Sequence, residues 1–327
     1  MAVAFFPVAL TSVILLSTML NGLVVFAMMK ARNKLTFRDI IHLSVALSDM
    51  IQGILGYPLE VISVLEGKWQ FGDAACAGTA FMVTWLGLVS ISHLVAMAID
   101  RCLTICKPFT AHVLHQKRID ALYFVIPSWL YGFFWAFTPL VGWGGYANEG
   151  LARCSIDWRV TDPIGVSYII SLFVFCFVLP VAVMLMSFAA IRFELRKMRH
   201  RSKSHFGEDS ESVKRDLKAE KKNNRLVAIM ITAFVAAWTP YSVISLSHSI
   251  NAGLNLSNQI EQLAALFAKS SCTFNPIIYT FFYKEFRKYL RDFCVGCCPC
   301  AMNLNIIRPE QTSVSAPTTQ AVTAANA

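Results

Sequence analysis

Charge is scarce in this sequence. Only 15% of its 327 residues are charged, whereas 56% are hydrophobic, a balance that soluble globular domains rarely show. The ten cysteines contain no CxxC…CxxC zinc arrangement, and the chain has no internal repeat. These absences argue against a soluble domain, a zinc-binding module and an inverted-repeat transporter.

The apolar residues are gathered in seven long runs. About 20 apolar residues are enough to cross the hydrocarbon core of a bilayer, so each run predicts a membrane span. The runs cover residues 3–29, 39–65, 74–99, 120–143, 163–191, 226–250 and 257–283. The sequence therefore predicts an all-α membrane protein, a seven-transmembrane helix bundle.

The net charge of +9 is distributed unevenly around these runs. Lys68, Arg153 and Arg159 fall in the connections on one side, and Lys269 lies inside a run. The other lysines and arginines flank the opposite ends or lie in the long loop and the tail. The positive-inside rule then places the N-terminus outside the cell and the C-terminus in the cytoplasm. Without aromatic interleaving or zinc spacing, the basic charge does not indicate nucleic-acid binding.

Residues 1–29 are predicted to be the first span rather than a cleavable signal, because the apolar stretch is long and no basic residues precede it. The connection 192–225 is rich in both charges, and its flanks are expected to extend the fifth and sixth helices into the cytoplasm. Its middle, SKSHFGEDSES, is expected to be a flexible linker.

The stretch KEFRKYLRDF after the seventh run predicts an amphipathic eighth helix over 284–293. Its apolar residues recur at helical spacing and its basic residues take the other face, which is typical of a helix lying on the inner leaflet. Cys294, Cys297 and Cys298 follow where palmitoyl chains can insert, with free thiols as the alternative. We expect 1–293 to form one membrane domain and 294–327 a disordered cytoplasmic tail.

Several motifs, in order and in matching spans, resemble those of the rhodopsin-like G-protein-coupled receptors over nearly the whole chain. They are Asn21, LSVALSD with Asp49, Cys76, DRC at 100–102, Trp129, Pro180, AAWTPY at 236–241 and NPIIY at 275–279. Cys102 and Phe188 depart from the family, which commonly has tyrosine at both places. The resemblance implies a receptor fold that switches between two states.

Cys76 and Cys154 lie at outer helix ends or in outer loops, on the oxidising side, where they can form a disulfide. Asp49 and Asn275 are polar groups near mid-membrane that need partners. We expect them to share a polar network containing water or sodium with Asn21.

The switch residues are assigned by the resemblance. Arg101, beside Asp100 at the inner end of the third span, is expected to pair with Glu220 at the start of the sixth and to restrain the inactive state. A solvated surface arginine is the alternative. Pro180, Pro240 and Pro276 each remove a backbone hydrogen bond and are expected to kink their helices. With Asn275 and Tyr279, Pro276 forms the NPIIY motif.

Lys269 is the single lysine or arginine inside the seven runs. A lysine at the centre of a membrane helix costs about 2.5–3.5 kcal/mol on insertion scales. Burial favours the neutral amine, the form that condenses with an aldehyde. Lys269 stands seven residues before Pro276, and a lysine at this place is characteristic of the opsins. The resemblance therefore implies that Lys269 binds retinal covalently as a Schiff base.

The resemblance also predicts the surroundings of the chromophore. Trp238 and Tyr241 match the family's aromatic residues beside retinal, and Gly87 matches its small residue near the ring. Ala265 and Ala268 leave room near Lys269.

A protonated Schiff base needs a nearby anion. Thr79 occupies the position of the glutamate that serves vertebrate visual pigments. Glu149, five residues before Cys154, and Glu60, after GYP, are the two candidates, and Glu149 is favoured. If neither reaches the nitrogen, the pigment is expected to absorb in the ultraviolet.

Among opsins, FAKSSCTFNPIIY, GYPLE, WQFG and CSIDW are most similar to the non-visual peropsin and neuropsin group. The resemblance implies a light-sensing receptor in the cell membrane that activates a heterotrimeric G protein. It also implies binding of arrestin and receptor kinase to the tail. Two alternatives are a retinal photoisomerase, which would be an enzyme, and a receptor for a diffusible ligand that contacts Lys269.

Overall fold

A computed structural model describes residues 2–148, 152–206, 211–250 and 256–297. Within these residues, six helical stretches are long and apolar enough to cross a membrane. We number them spans 1 to 6: Phe6–Lys30, Phe37–Leu65, Gly72–Cys106, Arg118–Val141, Pro163–Met198 and Asn224–Ile250. Span 7 is the helix Asn258–Phe282, whose 25 residues rise about 37 Å, more than the hydrocarbon core requires.

The spans are built from helical pieces of different pitch. Span 2 joins the α-helices Phe37–Ile51 and Pro58–Leu65 through a π-helical turn, Gln52–Gly56. Span 5 joins Pro163–Phe173 and Leu179–Phe206 through a similar turn, Val174–Val178. The other helices are Ala2–Lys30, Arg32–Lys34, Gly72–Cys106, Pro108–Leu114, Arg118–Ala121, Leu122–Phe137, Thr138–Val141 and Glu211–Ile250.

A proline follows each of the two π-helical turns. Pro58 and Pro180 each follow one of these turns within two residues. A proline has no N–H to donate to the carbonyl four residues earlier, and its ring pushes that carbonyl away. The helix accommodates this by inserting one extra residue into a single turn. In span 2 the extra residue changes the direction in which the outer half presents its side chains.

The spans pack into a closed bundle. Span 1 packs against spans 2 and 7, span 3 against spans 2, 4 and 5, and span 6 against spans 5 and 7. A large buried core fills the inner half, with Val45, Leu94, Met184, Met230 and Tyr279 among its members. This arrangement confirms the predicted fold class.

Helices extend beyond several of the predicted apolar runs at the inner side. Span 3 continues to Cys106, whereas the run that predicted it ends at residue 99, because Asp100 and Arg101 interrupt the apolar pattern without ending the helix. The helices that contain spans 5 and 6 reach Phe206 and begin at Glu211, as expected for the loop flanks. Helix 8, Lys284–Cys297, is four residues longer than the predicted 284–293.

The outer end of the bundle is covered by a short hairpin. Strand β1, Tyr146–Asn148, pairs antiparallel with strand β2, Cys154–Ile156, with Asn148 opposite Cys154. A disulfide joins Cys154 to Cys76 at the start of span 3, with the two Cα atoms 5.3 Å apart. The predicted disulfide is therefore confirmed, and it fixes the hairpin against span 3.

Candidate functional site

Lys269 and Glu60 form a buried ion pair in the outer half of the bundle. The Lys269 Nζ atom contacts both carboxylate oxygens of Glu60. The side chains are 12% and 2% exposed, respectively. The ammonium also lies over the Tyr57 ring, 5.3 Å from its centroid. An intramembrane lysine is thus neutralised by a carboxylate from span 2, which offsets the cost of burying either charge alone.

The segment GYPLE places Glu60 at this position. Gly56 ends the π-helical turn, and a Cβ atom there would lie 2.9 Å from Cγ2 of Val83 in span 3. The missing side chain therefore permits close packing of spans 2 and 3. Pro58 begins the following helix, and Glu60 lies in its first turn. Acidic side chains are favoured in a first turn because they face the positive end of the helix dipole.

Lys269 opens into a cavity between spans 2, 3, 5, 6 and 7 and beneath strand β2. Its walls are mostly apolar and aromatic. They include Tyr57, Ala80, Val83, Leu88, Ile156, Trp158, Ile169, Leu172, Phe173, Phe177, Trp238, Tyr241, Ala265 and Ala268. The polar side chains on the wall include Thr84, Arg153, Ser155, Ser242, Ser245 and Lys269. A pocket with one amine and long apolar walls fits a hydrocarbon chain that ends in an aldehyde.

Four of the predicted neighbours of Lys269, namely Trp238, Tyr241, Ala265 and Ala268, line this cavity. The other two predicted neighbours, Gly87 and Thr79, are not among the described residues that line the cavity. Gly87 instead accommodates Trp238, because a Cβ atom on Gly87 would lie 3.2 Å from the indole ring. Thr79 is buried in span 3.

Trp238 connects three spans at the inner end of the cavity. Its indole N–H donates to the Ser271 hydroxyl in span 7 at 3.1 Å, and its ring stacks on Phe234, one turn away in span 6. Against span 3 it packs on Gly87. A displacement of Trp238 therefore has to move span 6 or disturb its contacts with spans 3 and 7.

Tyr241 connects the cavity to the outer cover. The Trp158 indole N–H donates to the Tyr241 hydroxyl at 3.0 Å, and Ser249 in span 6 donates to the Trp158 carbonyl at 3.1 Å. These contacts hold the segment after strand β2 against span 6. Sequence reasoning missed Trp158, although CSIDW contains it.

The mid-membrane polar residues form a connected network. Asn275 donates to one carboxylate oxygen of Asp49 at 2.8 Å, and Ser90 of span 3 donates to the other at 2.8 Å. Asn21 donates to the Cys272 carbonyl at 2.9 Å. It joins Asp49 through Ser17, whose hydroxyl donates to the Asp49 carbonyl at 3.0 Å. Ser90 was not predicted, because a serine in an apolar helix gives no distinct signal.

Among the described residues, the charged or titratable neighbours of Asp100, at the inner end of span 3, include two arginines and a histidine. Arg38 of span 2 pairs with it at 3.0 Å, His115 lies 2.7 Å away, and Arg101 Nε lies 3.8 Å away. Neither Arg38 nor His115 was predicted, because their positions beside Asp100 depend on the fold. Arg101 is only 4% exposed, so it is not the solvated surface arginine of the alternative interpretation.

A second charged cluster lies at the outer end, around Glu261 of span 7. His248 of span 6 bonds its carboxylate at 2.9 Å, and Arg159 approaches it at 3.5 Å. Arg153, beside the disulfide, donates to the Glu261 main-chain carbonyl at 3.1 Å. The cluster links the hairpin region to spans 6 and 7. Sequence reasoning placed Glu261 at the outer end of its span but gave it no partners.

Some predicted residues lie outside the described part of the chain. Glu149, Cys298 and the tail after Cys298 are outside it entirely. For Glu220, Cys294 and Cys297, only the side chains are outside it. The Arg101–Glu220 pair, the lipidation sites and a role for Glu149 therefore stay predictions.

Comparison with known proteins gives concordant matches. The family model described as 7 transmembrane receptor (rhodopsin family) matches residues 20–279. The chain is 32% identical over 276 residues to the visual pigment-like receptor peropsin of Homo sapiens, with 84% of this chain and 79% of peropsin covered. It is 31% identical over 261 residues to parapinopsin of Ictalurus punctatus, with 80% and 72% covered.

A solved structure shares the fold. The crystal structure of squid rhodopsin superposes with a TM-score of 0.79 at 24% sequence identity, covering 90% of this chain and 87% of that one.

Proposed function

The chain belongs to the rhodopsin family of seven-transmembrane receptors and, within it, to the opsins, and on this premise we propose that it is a light-sensing receptor carrying retinal on Lys269. It is a multi-pass membrane protein. The observation that carries the proposal is the buried amine of Lys269, paired with Glu60 and open to an apolar cavity.

The attachment requires chemistry that Lys269 can supply. Lys269 would hold retinal through its Nζ atom: after passing a proton to Glu60, the neutral amine would condense with the aldehyde, and the aldehyde oxygen would leave as water. When bound, retinal supplies the absorption of light and a change of shape on isomerisation. Glu60 then holds a proton at the Lys269 nitrogen, because its own carboxylate is 2% exposed and needs a positive partner.

The signal is proposed to leave the cavity through Trp238. This side chain contacts Gly87, Phe234 and Ser271, so pressure on it acts on the packing of span 6. Asp49, Asn275, Pro276 and Tyr279 form the next layer inwards. In our proposal, light acts as a ligand that shifts the population of two arrangements, and the predicted Arg101–Glu220 restraint yields in the active one.

The exposed inner face is proposed to bind a heterotrimeric G protein, with the C-terminus in the cytoplasm and the N-terminus outside. Arrestin and a receptor kinase are proposed to act on the tail. The basic residues at the inner ends of the spans and in helix 8 support this orientation.

Absorption spectra test the proposal. The purified protein, incubated with 11-cis and separately with all-trans retinal, is expected to acquire an absorption band that changes on illumination. Lys269→Arg serves as the matched variant, because it keeps a cation beside Glu60 but cannot form the linkage. A wild type without a band, or an unchanged band in Lys269→Arg, would contradict the proposal.

Signalling is separated from photoisomerase activity by a second measurement. Light-dependent nucleotide exchange on a panel of G proteins is expected for a receptor. Release of isomerised retinal in the light, without nucleotide exchange, would instead indicate the enzyme.

A further inference from the structure

Asp39 is a fully buried carboxylate in the first turn of span 2 that the proposed mechanism does not use. It accepts from the main-chain N–H of Thr36 at 2.7 Å and from the Thr36 hydroxyl at 2.8 Å. It also accepts from the hydroxyls of Tyr289, at 2.9 Å, and Tyr283. The two bonds from Thr36 are local, and the one from its main-chain N–H belongs to the cap of the helix. The two bonds from the tyrosines connect distant parts of the chain.

The two tyrosines belong to the junction of span 7 and helix 8. Tyr283 follows the last residue of span 7, and its backbone (φ −98°, ψ 104°) leaves the helical conformation there. Tyr289 lies on the buried face of helix 8 and is 4% exposed. Its hydroxyl also lies 3.3 Å from the Lys34 carbonyl. One carboxylate on span 2 therefore holds both sides of the turn at which span 7 becomes helix 8.

Both phenols are suited to donate these bonds. Burial, and then the neighbouring Asp39 carboxylate, raise the pKa of Tyr283 and Tyr289 above the ordinary value for tyrosine. Both hydroxyls therefore keep their protons at neutral pH. Hydrogen bonds to an ionised acceptor are stronger than neutral ones.

The same junction supports the NPIIY tyrosine. His42, one turn after Asp39, packs between the rings of Tyr279 and Tyr283, with centroid distances of 4.8 and 4.9 Å. Tyr279 also packs on Phe286 of helix 8 at 6.2 Å, and it is fully buried. The position of Tyr279 thus depends on a junction that Asp39 holds in place.

We propose that Asp39 is a positioning residue of the receptor switch, which stabilises the closed inner face by holding Tyr283 and Tyr289. The proposal rests on the proposed receptor function. In the described arrangement both Tyr279 and Arg101 are buried. Separation of the inner ends of the spans has to strain or break the contacts between them. Bonds that form only while these ends are together therefore favour the closed arrangement. Loss of these bonds should raise signalling in the dark.

Hydrogen exchange of helix 8 tests the positioning role without retinal or a G protein. In Asp39→Asn, and in the double variant Tyr283→Phe with Tyr289→Phe, we expect the amides of 284–293 to exchange on the order of tenfold faster, because charge-assisted hydrogen bonds are lost. The phenylalanine variant keeps the rings and the cap of span 2, so it remains informative if Asp39→Asn does not fold. Thr110→Ala, at an exposed position of the loop helix Pro108–Leu114, is the control and is expected to leave the exchange of helix 8 unchanged.

Nucleotide exchange in the dark tests the link to the switch. Both variants, loaded with retinal and showing the wild-type absorption band, are expected to activate the responsive G protein several-fold more than the wild type before illumination. Unchanged exchange of helix 8, or unchanged dark activity, would overturn the inference. A wild type without an absorption band would count against the proposed function, while the hydrogen-exchange comparison would still decide the role of Asp39.

Discussion

Lys269 and Glu60 can both be buried because each neutralises the charge of the other. A lysine in the middle of a membrane helix costs about 2.5–3.5 kcal/mol on insertion scales, and a lone buried carboxylate is also unfavourable. Their direct contact neutralises both charges in one place. A stable helix bundle has no need for such a pair, so its presence beside an apolar cavity supports the proposed chemistry at the amine.

The Asp49 network gives a prediction at the same scale. Asp49→Ala removes the acceptor of both Asn275 and Ser90. We expect it to destabilise the protein by about 1–3 kcal/mol, because two buried donors lose their partner. Asp49→Asn keeps one side-chain oxygen as an acceptor and should cost less. Thermal unfolding in detergent measures the difference, and equal losses in the two variants would show that these bonds do not matter.

Individual residues were only partly predictable from the sequence. Lys269 was recognisable because it is the single lysine or arginine within the apolar runs. Glu60 and Glu149 could both be named as candidate anions, but the contact between Glu60 and Lys269 depends on the direction in which Glu60 points. The partners of Asp39 could not be found at all, since Tyr283 and Tyr289 lie 244 and 250 residues away along the chain.

At the scale of elements, the π-helical turn of span 2 sets the geometry of the site. One extra residue in a turn rotates the following helix by about 100° relative to the preceding one. Glu60 lies directly after that turn. Hydrophobic patterning located the span but gave no sign of the change in pitch. The direction of the outer half of span 2 therefore followed only from the structure.

Replacement of Pro58 tests this role of the turn. Pro58→Ala restores an N–H that can bond the carbonyl of Ile54, which favours a regular helix. We expect Glu60 to rotate away from Lys269 and the dark absorption band of the retinal-loaded protein to move to shorter wavelength. Pro108→Ala is the control, because Pro108 begins a loop helix outside the membrane spans. A Pro58→Ala spectrum identical to that of the wild type would contradict the account.

Across the whole molecule, the helix bundle is held by contacts at both its outer and its inner end. The disulfide holds strand β2 over the cavity. The Glu261 cluster joins Arg153 and His248 at the outer ends of spans 6 and 7. At the inner end of the bundle, Asp39 of span 2 holds Tyr283 and Tyr289. A movement of span 6 therefore takes place in a bundle whose outer and inner ends are both restrained by these contacts.

The architecture of the whole molecule was more predictable than its contacts. Seven apolar runs, the charge asymmetry and the amphipathic KEFRKYLRDF stretch were sufficient for the bundle and helix 8, because each depends on local composition. The charged clusters around Asp100 and Glu261 depend on which helices become neighbours. A single sequence does not show which helices are neighbours in the fold.

The central claim is that retinal on Lys269 is held in a protonated form by Glu60, and the dark absorption spectrum of Glu60→Gln tests it most directly. We predict a shift of its band from that of the wild type to the ultraviolet at neutral pH, because the proton at the Lys269 nitrogen loses its anion. Glu66→Gln, at an exposed position six residues further on, should keep the wild-type band, and so should Glu149→Gln. An unchanged band in Glu60→Gln would contradict the account, and an ultraviolet shift in Glu149→Gln would assign the anion to Glu149 instead.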